Sequence, residues 1–580
     1  MSYFKTKGAL KTLNFKGFGG MNTESSKREG IQAELVENFR VLPDKSLEKR
    51  FGYRYFASFI NPIRAVYTGY IDSSFVFYVL SGDLLYKCDE TTGDATLIKK
   101  IGTKTGEANF FYYYGHLYLL DGEEIYDISG LKVKIAQGYV PLYGKDWRDA
   151  YPGEINEPLN LLTPKARISY IIGDPPTIFL NTVHSVSSVE AVYVNGELID
   201  SGRYSIDDNF KTINVTGLMP GDRALVYLTF DDSVTDRAKF ALNTNATVFG
   251  GIFNSRVFMW GGEKKNVMFS SRHISEESFK ISEEISDGAG SLYFPADQEF
   301  SVGDGRYAIT AVSRHYDRLL IFTEGETWMA DSDSCGLDEF PVMRINVDMG
   351  CISSRACTKL GNDPITVANG SILRWTSNTD ELEDCNAYSI SDKIKGSLSE
   401  EFFSSAVAYT NKSRGEVYFT DKTNGAERLF VYGTENQQWY IYTNVSADMF
   451  FDLRESTAFV SDRIIYVFDD SYSYDLKMNV GEPIKTLYST GMLDFGIPER
   501  KKRLKGVNIV GEFSDNTFTI DFLSDNNVQT SFSFLGESSK PIQSHSSRLN
   551  SDKFVTCGIT FGSEDRLPQR IYSMTATVKE

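Results

Sequence analysis

The sequence predicts an all-β fold: an irregular β-propeller of about six to eight blades, with an inserted β-sandwich and a C-terminal β-domain. Two observations lead to this prediction. Short apolar runs recur in pairs along the chain, and each pair is joined by a turn that contains Gly, Asn or Asp. The composition is also rich in aromatic residues, with 33 Tyr and 40 Phe against 16 Pro. Aromatic side chains suit half-buried pleated surfaces, whereas Pro interrupts strand ladders.

The clearest hairpin spans residues 318–330, where an apolar run and a Trp-containing run meet at Glu324-Gly325. Gly325 is predicted to supply the positive φ of a tight turn. Similar units turn at three other positions: Gly82, Gly122 and Asn369-Gly370. Because one hairpin is only marginally stable alone, such units must pack against one another, which favours a propeller.

The order of strand runs and breaks divides the chain into five segments. Residues 1–60 are an N-terminal arm with a hairpin, and residues 61–145 hold the first part of the propeller. Residues 160–235 are predicted to form the inserted sandwich, because short strands alternate there with Asn-Gly, Asp-Asp and Pro-Gly-Asp turns. The propeller resumes over residues 240–482, and a final β-domain occupies residues 483–580.

The charge balance argues against a protein that grips nucleic acid. The 580-residue chain has 78 Asp and Glu against 60 Lys and Arg, a formal net charge of −18. Tight binding to phosphates requires a basic surface. An acidic surface is nevertheless compatible with DNA that passes without sticking.

The cysteine usage predicts free thiols in a reducing compartment. The six cysteines include no Cys-x-x-Cys pair and are too few for a disulfide scaffold. No apolar run follows the N-terminal lysines, so we expect no signal peptide. No run of about 18 apolar residues occurs, so we expect no membrane span.

The sequence offers no recognisable catalytic, metal or cofactor motif. The five histidines are scattered singly, and Gly102-Thr103-Lys104-Thr105-Gly106 lacks the closing Lys of a phosphate-binding loop. Residues 331–336 imitate the start of a calcium loop, but Cys335 stands at its fifth position. Propellers also occur among glycoside hydrolases and sialidases, which need two carboxyl groups at a set separation. The sequence singles out no such pair among its acidic residues. We therefore predict that the chain is not an enzyme, and keep a carbohydrate-binding or glycoside-hydrolysing propeller as the alternative.

The N-terminal arm carries a resemblance to a known family. Gly-Gly-Met-Asn at 19–22 precedes Asn38-Phe39, a turn at Pro43-Asp44, and the run Ser46-Leu47-Glu48-Lys49-Arg50-Phe51-Gly52-Tyr53. This pattern resembles the opening of the tail nozzle, or tail-tubular, proteins of short-tailed bacteriophages, which are also described as head–tail stabilisation proteins. In that family the arm leads into an irregular propeller.

The resemblance implies a structural virion protein without cofactors. Such a protein assembles in the host bacterial cytoplasm into a ring, most often a hexamer, below the head-to-tail connector. It contacts the adaptor or connector ring and the tail fibre or tail tip proteins. Genomic DNA passes through the ring without specific binding.

Two groups of residues are predicted to contact neighbouring subunits. Residues 14–55 have few core positions, so Asn38, Phe39, Lys49 and Arg50 are expected to order against another subunit or the adaptor ring. Deleting residues 1–50 should then leave a folded propeller. The basic cluster Arg500-Lys501-Lys502-Arg503 could contact DNA, but it is better interpreted as a solvated turn or an ion-pair patch at an interface.

Overall fold

The computed structural model describes the chain over residues 10–24, 32–102, 105–148, 153–231, 235–249, 256–274, 292–330, 341–376, 386–496, 498–525 and 529–580, together with residues 233 and 527. Two features considered above lie outside these residues: the segment 331–336, which resembles a calcium loop and contains Cys335, and Cys385. The described structure is nearly all β, as predicted. Its helices are single turns or little more: Ser201–Arg203, Arg237–Phe240, Ala296–Gln298, Ser354–Ala356, Asp392–Ser397, Glu400–Ser405 and Thr423–Gly425.

The chain divides into two compact units. Unit 1 comprises Met1–Ile63, Glu90–Asp94 and Asn346–Glu580, and unit 2 comprises Arg64–Asp89 and Ala95–Ile345. Unit 1 therefore joins the N-terminal arm to the C-terminal part of the chain. The five-segment division predicted from the sequence has the arm as a region of its own.

Unit 2 contains four antiparallel sheets of four strands each, named here meanders 1 to 4. Each sheet is built from consecutive strands, as a propeller blade requires. The strands are, for meander 1, Ile63–Ile71, Ser74–Ser81, Leu84–Cys88 and Ala95–Lys100; for meander 2, Asn109–Tyr113, His116–Leu120, Ile125–Ser129 and Lys132–Ile135; for meander 3, Asn245–Phe249, Arg256–Trp260, Val267–Ser270 and Glu299–Ser301; and for meander 4, Ile309–His315, Arg318–Thr323, Thr327–Ala330 and Val342–Asn346.

Consecutive meanders of unit 2 share apolar cores. Each core takes side chains from two neighbouring sheets, as when propeller blades pack face to face. The pairs that mark these cores are Leu80 with Leu119, Tyr118 with Met259, and Trp260 with Ile321. The closed ring of a propeller stays a prediction, and these sheets have the strand order and the packing that it needs.

The hairpin at 318–330 forms, but its turn differs from the predicted one. Ile321 lies opposite Trp328 in the antiparallel pair. Gly325 does not have a positive φ, so that prediction is wrong. The N–H of Thr323 donates to the Glu326 carbonyl, and its Oγ1 accepts from the Glu326 N–H, both at 2.9 Å. A threonine hydroxyl thus closes this turn, whereas Gly82, Gly122 and Gly370 have the predicted positive φ values of 56°, 89° and 88°.

Strands between residues 142 and 230 form two sheets, and all but the first of these strands fall in the segment 160–235 predicted for the inserted sandwich. One sheet has the order Leu142–Trp147, Lys165–Ile171, Arg223–Phe230, Val186–Val194, Glu197–Leu198, and the other has the order Ile178–Phe179, Thr212–Val215, Tyr204–Ile206. Ile168, Val192 and Val226 of the first sheet share a core with Ile178 and Ile213 of the second. Alternating apolar residues on both inner faces create this core.

Unit 1 contains three further meanders. Meander 5 consists of Cys357–Leu360, Asp363–Ala368, Ser371–Trp375 and Ala387–Ser389, and meander 6 of Ala408–Asn411, Glu416–Asp421, Arg428–Gly433 and Gln438–Thr443. Meander 7 takes three strands, Met449–Leu453, Ser456–Ser461 and Ile464–Asp469, from this part of the chain. Its fourth strand is Gly52–Ser58, which pairs antiparallel with the third. The end of the N-terminal arm therefore completes a sheet of the C-terminal half.

The C-terminal domain, which belongs to unit 1, also forms a sandwich. Its first sheet has the order Phe39–Val41, Leu47–Lys49, Arg570–Lys579, Arg503–Glu512, Gln543–Arg548, with Leu10–Phe15 also paired to Arg570–Lys579. Its second sheet continues from meander 6 in the order Leu35–Glu37, Leu487–Leu493, Cys557–Gly562, Thr517–Ser524, Gln529–Leu535. The strands Tyr474–Lys477, Val480–Lys485 and Glu564–Asp565 extend meander 7. Arm strands thus enter both sheets of this domain.

Candidate functional site

The polar residues of the arm lie buried inside unit 1. The backbone places them there: Glu37 pairs with Ile441 of meander 6 on one side and with Leu487 of the C-terminal domain on the other. Because this strand lies between two others, the residue after it is also shielded from solvent. That residue, Asn38, is only 1% exposed and has a φ of 54°.

The guanidinium of Arg50 is buried and hydrogen-bonded at every nitrogen. Its two terminal nitrogens donate to the two carboxylate oxygens of Asp475, at 2.8 and 2.7 Å. The same nitrogens donate to the carbonyls of Phe51 and Thr443, and Nε donates to Oδ1 of Asn38 at 2.7 Å. All five N–H groups of the guanidinium are therefore used. Burial alone would lower the pKa of Arg50, but the carboxylate of Asp475 outweighs it and the pKa is raised.

Asn38 connects this ion pair to meander 6. Its Nδ2 donates to Oγ1 of Thr443 at 2.6 Å and to the carbonyl of Lys485 at 2.7 Å. Its Oδ1 accepts from Arg50 and from the N–H of Thr443. An amide has two donors and one oxygen that accepts twice, so this side chain is fully satisfied. Asn also tolerates the left-handed backbone better than most residues.

Lys49 is held by the C-terminal domain. Its ammonium donates to a carboxylate oxygen of Asp565 and to the Asp565 carbonyl, each at 2.7 Å, and to the Leu567 carbonyl at 3.0 Å. Three acceptors meet the three donors of the ammonium group. Burial lowers the pKa of Lys49, because the low-dielectric surroundings disfavour its charge.

Arg40 pairs with a buried carboxylate among three tyrosines. Its Nε donates to Oε1 of Glu416 at 2.7 Å. The hydroxyls of Tyr440 and Tyr442 donate to the same oxygen at 2.8 and 3.1 Å, and that of Tyr418 donates to Oε2 at 2.9 Å. Burial, together with the charge of Glu416, raises the pKa of all three tyrosines well above the usual value. They therefore remain hydroxyl donors.

These residues form one group, called the arm anchor: Asn38, Arg40, Lys49 and Arg50 with Glu416, Asp475 and Asp565. Their burial argues against the subunit contacts predicted from the sequence. Asn38, Phe39, Lys49 and Arg50 are between 0% and 3% exposed within their own chain. Phe39 packs near Phe561 of the C-terminal domain, with ring centroids 6.4 Å apart. The polar groups of the other three are saturated by partners in unit 1, so these side chains offer nothing to a neighbouring subunit.

The basic cluster at 500–503 is not one surface. Arg500 is exposed and pairs with Glu580 at 2.7 Å, and Lys501 is exposed. Lys502 is 0% exposed, and its ammonium donates to the carbonyl of Val555. Arg503 is half-buried at the start of its strand. Three of the four cations therefore remain candidates for an interface, and Lys502 does not.

A cavity of about 950 Å³ lies beside the arm anchor, wholly within unit 1. Turn residues of meanders 6 and 7 form most of its wall, and the arm contributes the rest. The lining residues are Arg40, Phe51, Asn411, Lys412, Ser413, Arg414, Asp452, Arg454, Glu455, Ser456, Thr457, Phe468, Asp469 and Asp470. Arg40 belongs to both sites, since the same side chain reaches Glu416 and borders the cavity.

The charged groups of this cavity, called the turn cavity below, are held in place by neighbours. The guanidinium of Arg414 lies 4.2 Å from the ring centroid of Phe51 and pairs with Asp470. Asp452 accepts from the hydroxyl of Tyr409. Although partial burial opposes ionisation, hydrogen bonds from Ser471 and Arg54 lower the pKa of Asp469. The cavity therefore presents fixed charges of both signs.

Reasoning from the sequence missed the three carboxylates of the arm anchor. A usable signal existed for one of them. Glu416 and Tyr418 are two residues apart in a strand, as are Tyr440 and Tyr442, and such pairs share one face. A Glu that lies on the same face as a Tyr in an otherwise apolar strand indicates a buried hydrogen-bonded carboxylate. Asp475 and Asp565 carry no comparable signal.

The four described cysteines, Cys88, Cys351, Cys357 and Cys557, are thiols rather than disulfides. Burial raises the pKa of Cys88 and of Cys557 to about 12, so these thiols are not reactive thiolates. The part of the chain that the structure describes contains no group of three or more His, Cys, Asp or Glu side chains arranged to hold a metal. Within the same residues, no helix is both long and apolar enough to cross a membrane.

No family model and no curated protein matches the chain. The solved structures that align with the chain include three at 9% identity. PorZ, a surface component of the type IX secretion system of Porphyromonas gingivalis, has a TM-score of 0.33, and the alignment covers 86% of this chain and 46% of PorZ. A structure described as the extracellular domain of a hybrid two-component system from B. thetaiotaomicron has a TM-score of 0.28, with 93% and 82% covered. A glycoside hydrolase has a TM-score of 0.21, with 89% and 97% covered. At these scores the alignments identify neither a shared fold nor a function.

Proposed function

We propose that the chain is a structural virion protein: a ring-forming nozzle or adaptor component of a short phage tail, placed below the head-to-tail connector and lining the DNA exit channel. The observation that carries the proposal is the arm anchor. Three residues of the pattern by which the arm resembles tail nozzle proteins fasten it within unit 1: Asn38 to meander 6, Lys49 to the C-terminal domain and Arg50 to the strand after meander 7.

A rigid body suits this role. A ring that conducts DNA under pressure must keep its subunit shape, and buried, fully satisfied charge pairs specify one arrangement of the elements that they join. The anchor joins the first fifty residues of the chain to carboxylates more than 350 residues further along. The subunit contacts themselves then come from other surfaces, which include the exposed Arg500 and Lys501.

The charge of the chain supports passage of DNA without binding. At −18 per subunit, a ring of about six copies, the number that the resemblance implies, is strongly acidic. Such a wall lacks the excess of Lys and Arg that releases counterions and holds a duplex. Its partners are the connector ring above it and tail fibre or tail tip proteins, and it acts in the virion after assembly in the bacterial cytoplasm.

Electron microscopy tests this proposal directly. Negative-stain images of the purified full-length protein over a range of concentrations should include closed rings of about six copies viewed along the axis. Immunogold labelling of phage particles with an antibody against this chain should place gold at the tail. A protein that remains monomeric at every concentration, together with unlabelled particles, would overturn the proposal.

A carbohydrate-binding protein is the second candidate, and the turn cavity is the observation that favours it. Its volume of about 950 Å³ falls in the range of small-molecule sites, roughly 300–1,000 Å³. The cavity combines hydroxyl, amide, carboxylate and guanidinium groups with two phenylalanine rings. Retention of the native protein on immobilised oligosaccharides, and its release by the soluble sugar, would support this candidate. If none of the sugar matrices retains the protein, the carbohydrate-binding candidate is contradicted.

A further inference from the structure

The turn cavity has a lining whose charges cancel. Four cationic side chains, Arg40, Lys412, Arg414 and Arg454, face four acidic ones, Asp452, Glu455, Asp469 and Asp470. A strongly charged ligand loses its hydration on entering such a site and meets no excess of the opposite charge in return. The balance therefore disfavours phosphorylated, sulfated and polyacidic ligands, and it equally disfavours polycations.

Most of these charged side chains also already have an ion-pair partner. Arg40 donates to Glu416, Arg414 to Asp470, Arg454 to Glu90, and Asp469 accepts from Arg54. A group that is paired in this way still has hydrogen-bonding capacity left, since a guanidinium has five donors and a carboxylate about four acceptor positions. The site thus offers many donors and acceptors with little free charge.

Two charged side chains of the lining, Lys412 and Glu455, differ from the others. Lys412 lies in the turn between the first two strands of meander 6, and Glu455 in the corresponding turn of meander 7. Both are exposed, and neither forms an ion pair with any described residue. The exposed part of the lining therefore has one donor group and one acceptor group, each next in sequence to a serine hydroxyl, Ser413 or Ser456.

We propose that the turn cavity binds a neutral oligosaccharide. Each sugar hydroxyl both donates and accepts, so a chain of hydroxyls can satisfy carboxylates and guanidinium groups at once without bringing net charge. The volume accommodates roughly two or three sugar rings. The inference rests on the carbohydrate-binding candidate and specifies its ligand class. It requires no hydrolysis and is compatible with a subunit that also forms a ring.

The turns that form the wall are well fixed for this role. Asn411 is buried; its Nδ2 donates to the Tyr418 hydroxyl at 3.1 Å, and its Oδ1 accepts from Ser413 and from the N–H of Arg414. Tyr418 in turn donates to Glu416 of the arm anchor. The wall is therefore held by the same network that fastens the arm, and a preformed site loses less free energy on ordering when a ligand binds.

A glycan array tests the ligand class. The fluorescently labelled full-length protein is applied to printed neutral, sialylated and sulfated oligosaccharides, and hits are titrated in solution by calorimetry. We expect binding confined to neutral glycans. Binding only to sialylated or sulfated glycans would overturn this inference while leaving a carbohydrate-binding function standing. The absence of binding to every glycan on the array would overturn both.

Matched tryptophan variants test the location. Ser456→Trp places a large side chain at an exposed position of the turn cavity, and Ser546→Trp makes the same change at an exposed position on an edge strand of the C-terminal domain. We expect at least a tenfold loss of affinity for the neutral glycan in the first variant and none in the second. The double variant Lys412→Ala with Glu455→Ala provides an independent check with two exposed residues and should lose severalfold. Unchanged affinity in the cavity variants would contradict the assignment.

Discussion

Lys49-Arg50 and Arg500-Lys501-Lys502-Arg503 are both basic runs, and the structure places their charges in different environments. In the first run each cation meets a buried carboxylate, Asp565 or Asp475, and every N–H has an acceptor. In the second, Arg500 forms an exposed pair with Glu580, and only Lys502 is buried, against a backbone carbonyl. A run of cations in the sequence therefore does not distinguish an internal anchor from a surface.

The difference arises from the surroundings of each run. Around Lys49-Arg50, apolar residues alternate through Phe39, Val41 and Leu47, which are all buried, so the arm strands must lie inside the unit. Charges carried into that interior need partners with complete hydrogen bonding. The second run stands at the start of a strand that comes after an exposed turn, so Arg500 and Lys501 remain exposed and need no buried carboxylate.

The largest expected effect comes from removing the arm. Deleting residues 1–50 removes four strands of unit 1 and leaves Glu416, Asp475 and Asp565 buried without their cations. We expect an insoluble protein, or one without a cooperative thermal transition for unit 1, as measured by circular dichroism and calorimetry. This reverses the expectation from the sequence that the truncated chain folds. A soluble truncated protein with the thermal stability of the full chain would contradict the anchor.

Single substitutions at the anchor should be severe as well. Arg50→Ala leaves Asp475 as an uncompensated buried charge, which costs about 3–5 kcal/mol of the free energy of unfolding. Arg50→Lys keeps the charge but replaces five donors with three, so we expect most of the loss to remain. Denaturant titration measures both, with Arg500→Ala as the matched control, expected within about 0.5 kcal/mol of the native protein. Equal effects at Arg50 and Arg500 would remove the distinction drawn between the two runs.

The sequence predicts the local features of this molecule better than its distant ones. Paired strands around Gly82, Gly122 and Gly370 can be predicted from apolar runs and turn residues within a few positions of each other. The anchor depends on partners 376, 425 and 516 residues apart. Of the three carboxylates, strand patterning offers a local signal for Glu416 alone, and nothing local selects Asp475 and Asp565 from 78 acidic residues. Nothing local predicts either that an arm strand completes meander 7. Contacts of this kind depend on the whole fold.

An exposed ion pair of the arm should have a small, pH-dependent effect. Asp44 pairs with Arg570 and accepts from Ser46, with about half of its side chain exposed. Although partial burial opposes ionisation, the hydrogen bonds from Ser46 and the pairing with Arg570 lower the pKa of Asp44 below its ordinary value. A carboxyl whose pKa is lower in the folded state stabilises that state above its unfolded pKa, and this contribution disappears as the pH falls through the folded pKa.

Asp44→Asn should therefore cost about 0.2–1 kcal/mol at pH 7 and almost nothing near pH 2. Denaturant titrations at several pH values measure the difference between the variant and the native protein. A loss as large as that of Arg50→Ala would mean that the anchor extends to the surface of the arm. A loss that is the same at pH 7 and pH 2 would show that the charge of Asp44 is not the cause.

The basic cluster should contribute least to folding and most to assembly. Arg500, Lys501 and Arg503 can be replaced together by Gln without touching the buried Lys502. Since exposed pairs contribute little, we expect the free energy of unfolding to change by less than about 1 kcal/mol. If these residues lie between subunits of an acidic ring, the same triple variant should form fewer rings at a given concentration, as measured by light scattering and negative-stain images.

The native protein should show no binding to duplex DNA at near-physiological salt, because its net charge of −18 repels phosphates. Salt-sensitive DNA binding that the triple variant loses would instead make the cluster a nucleic-acid contact and contradict the proposed conduit.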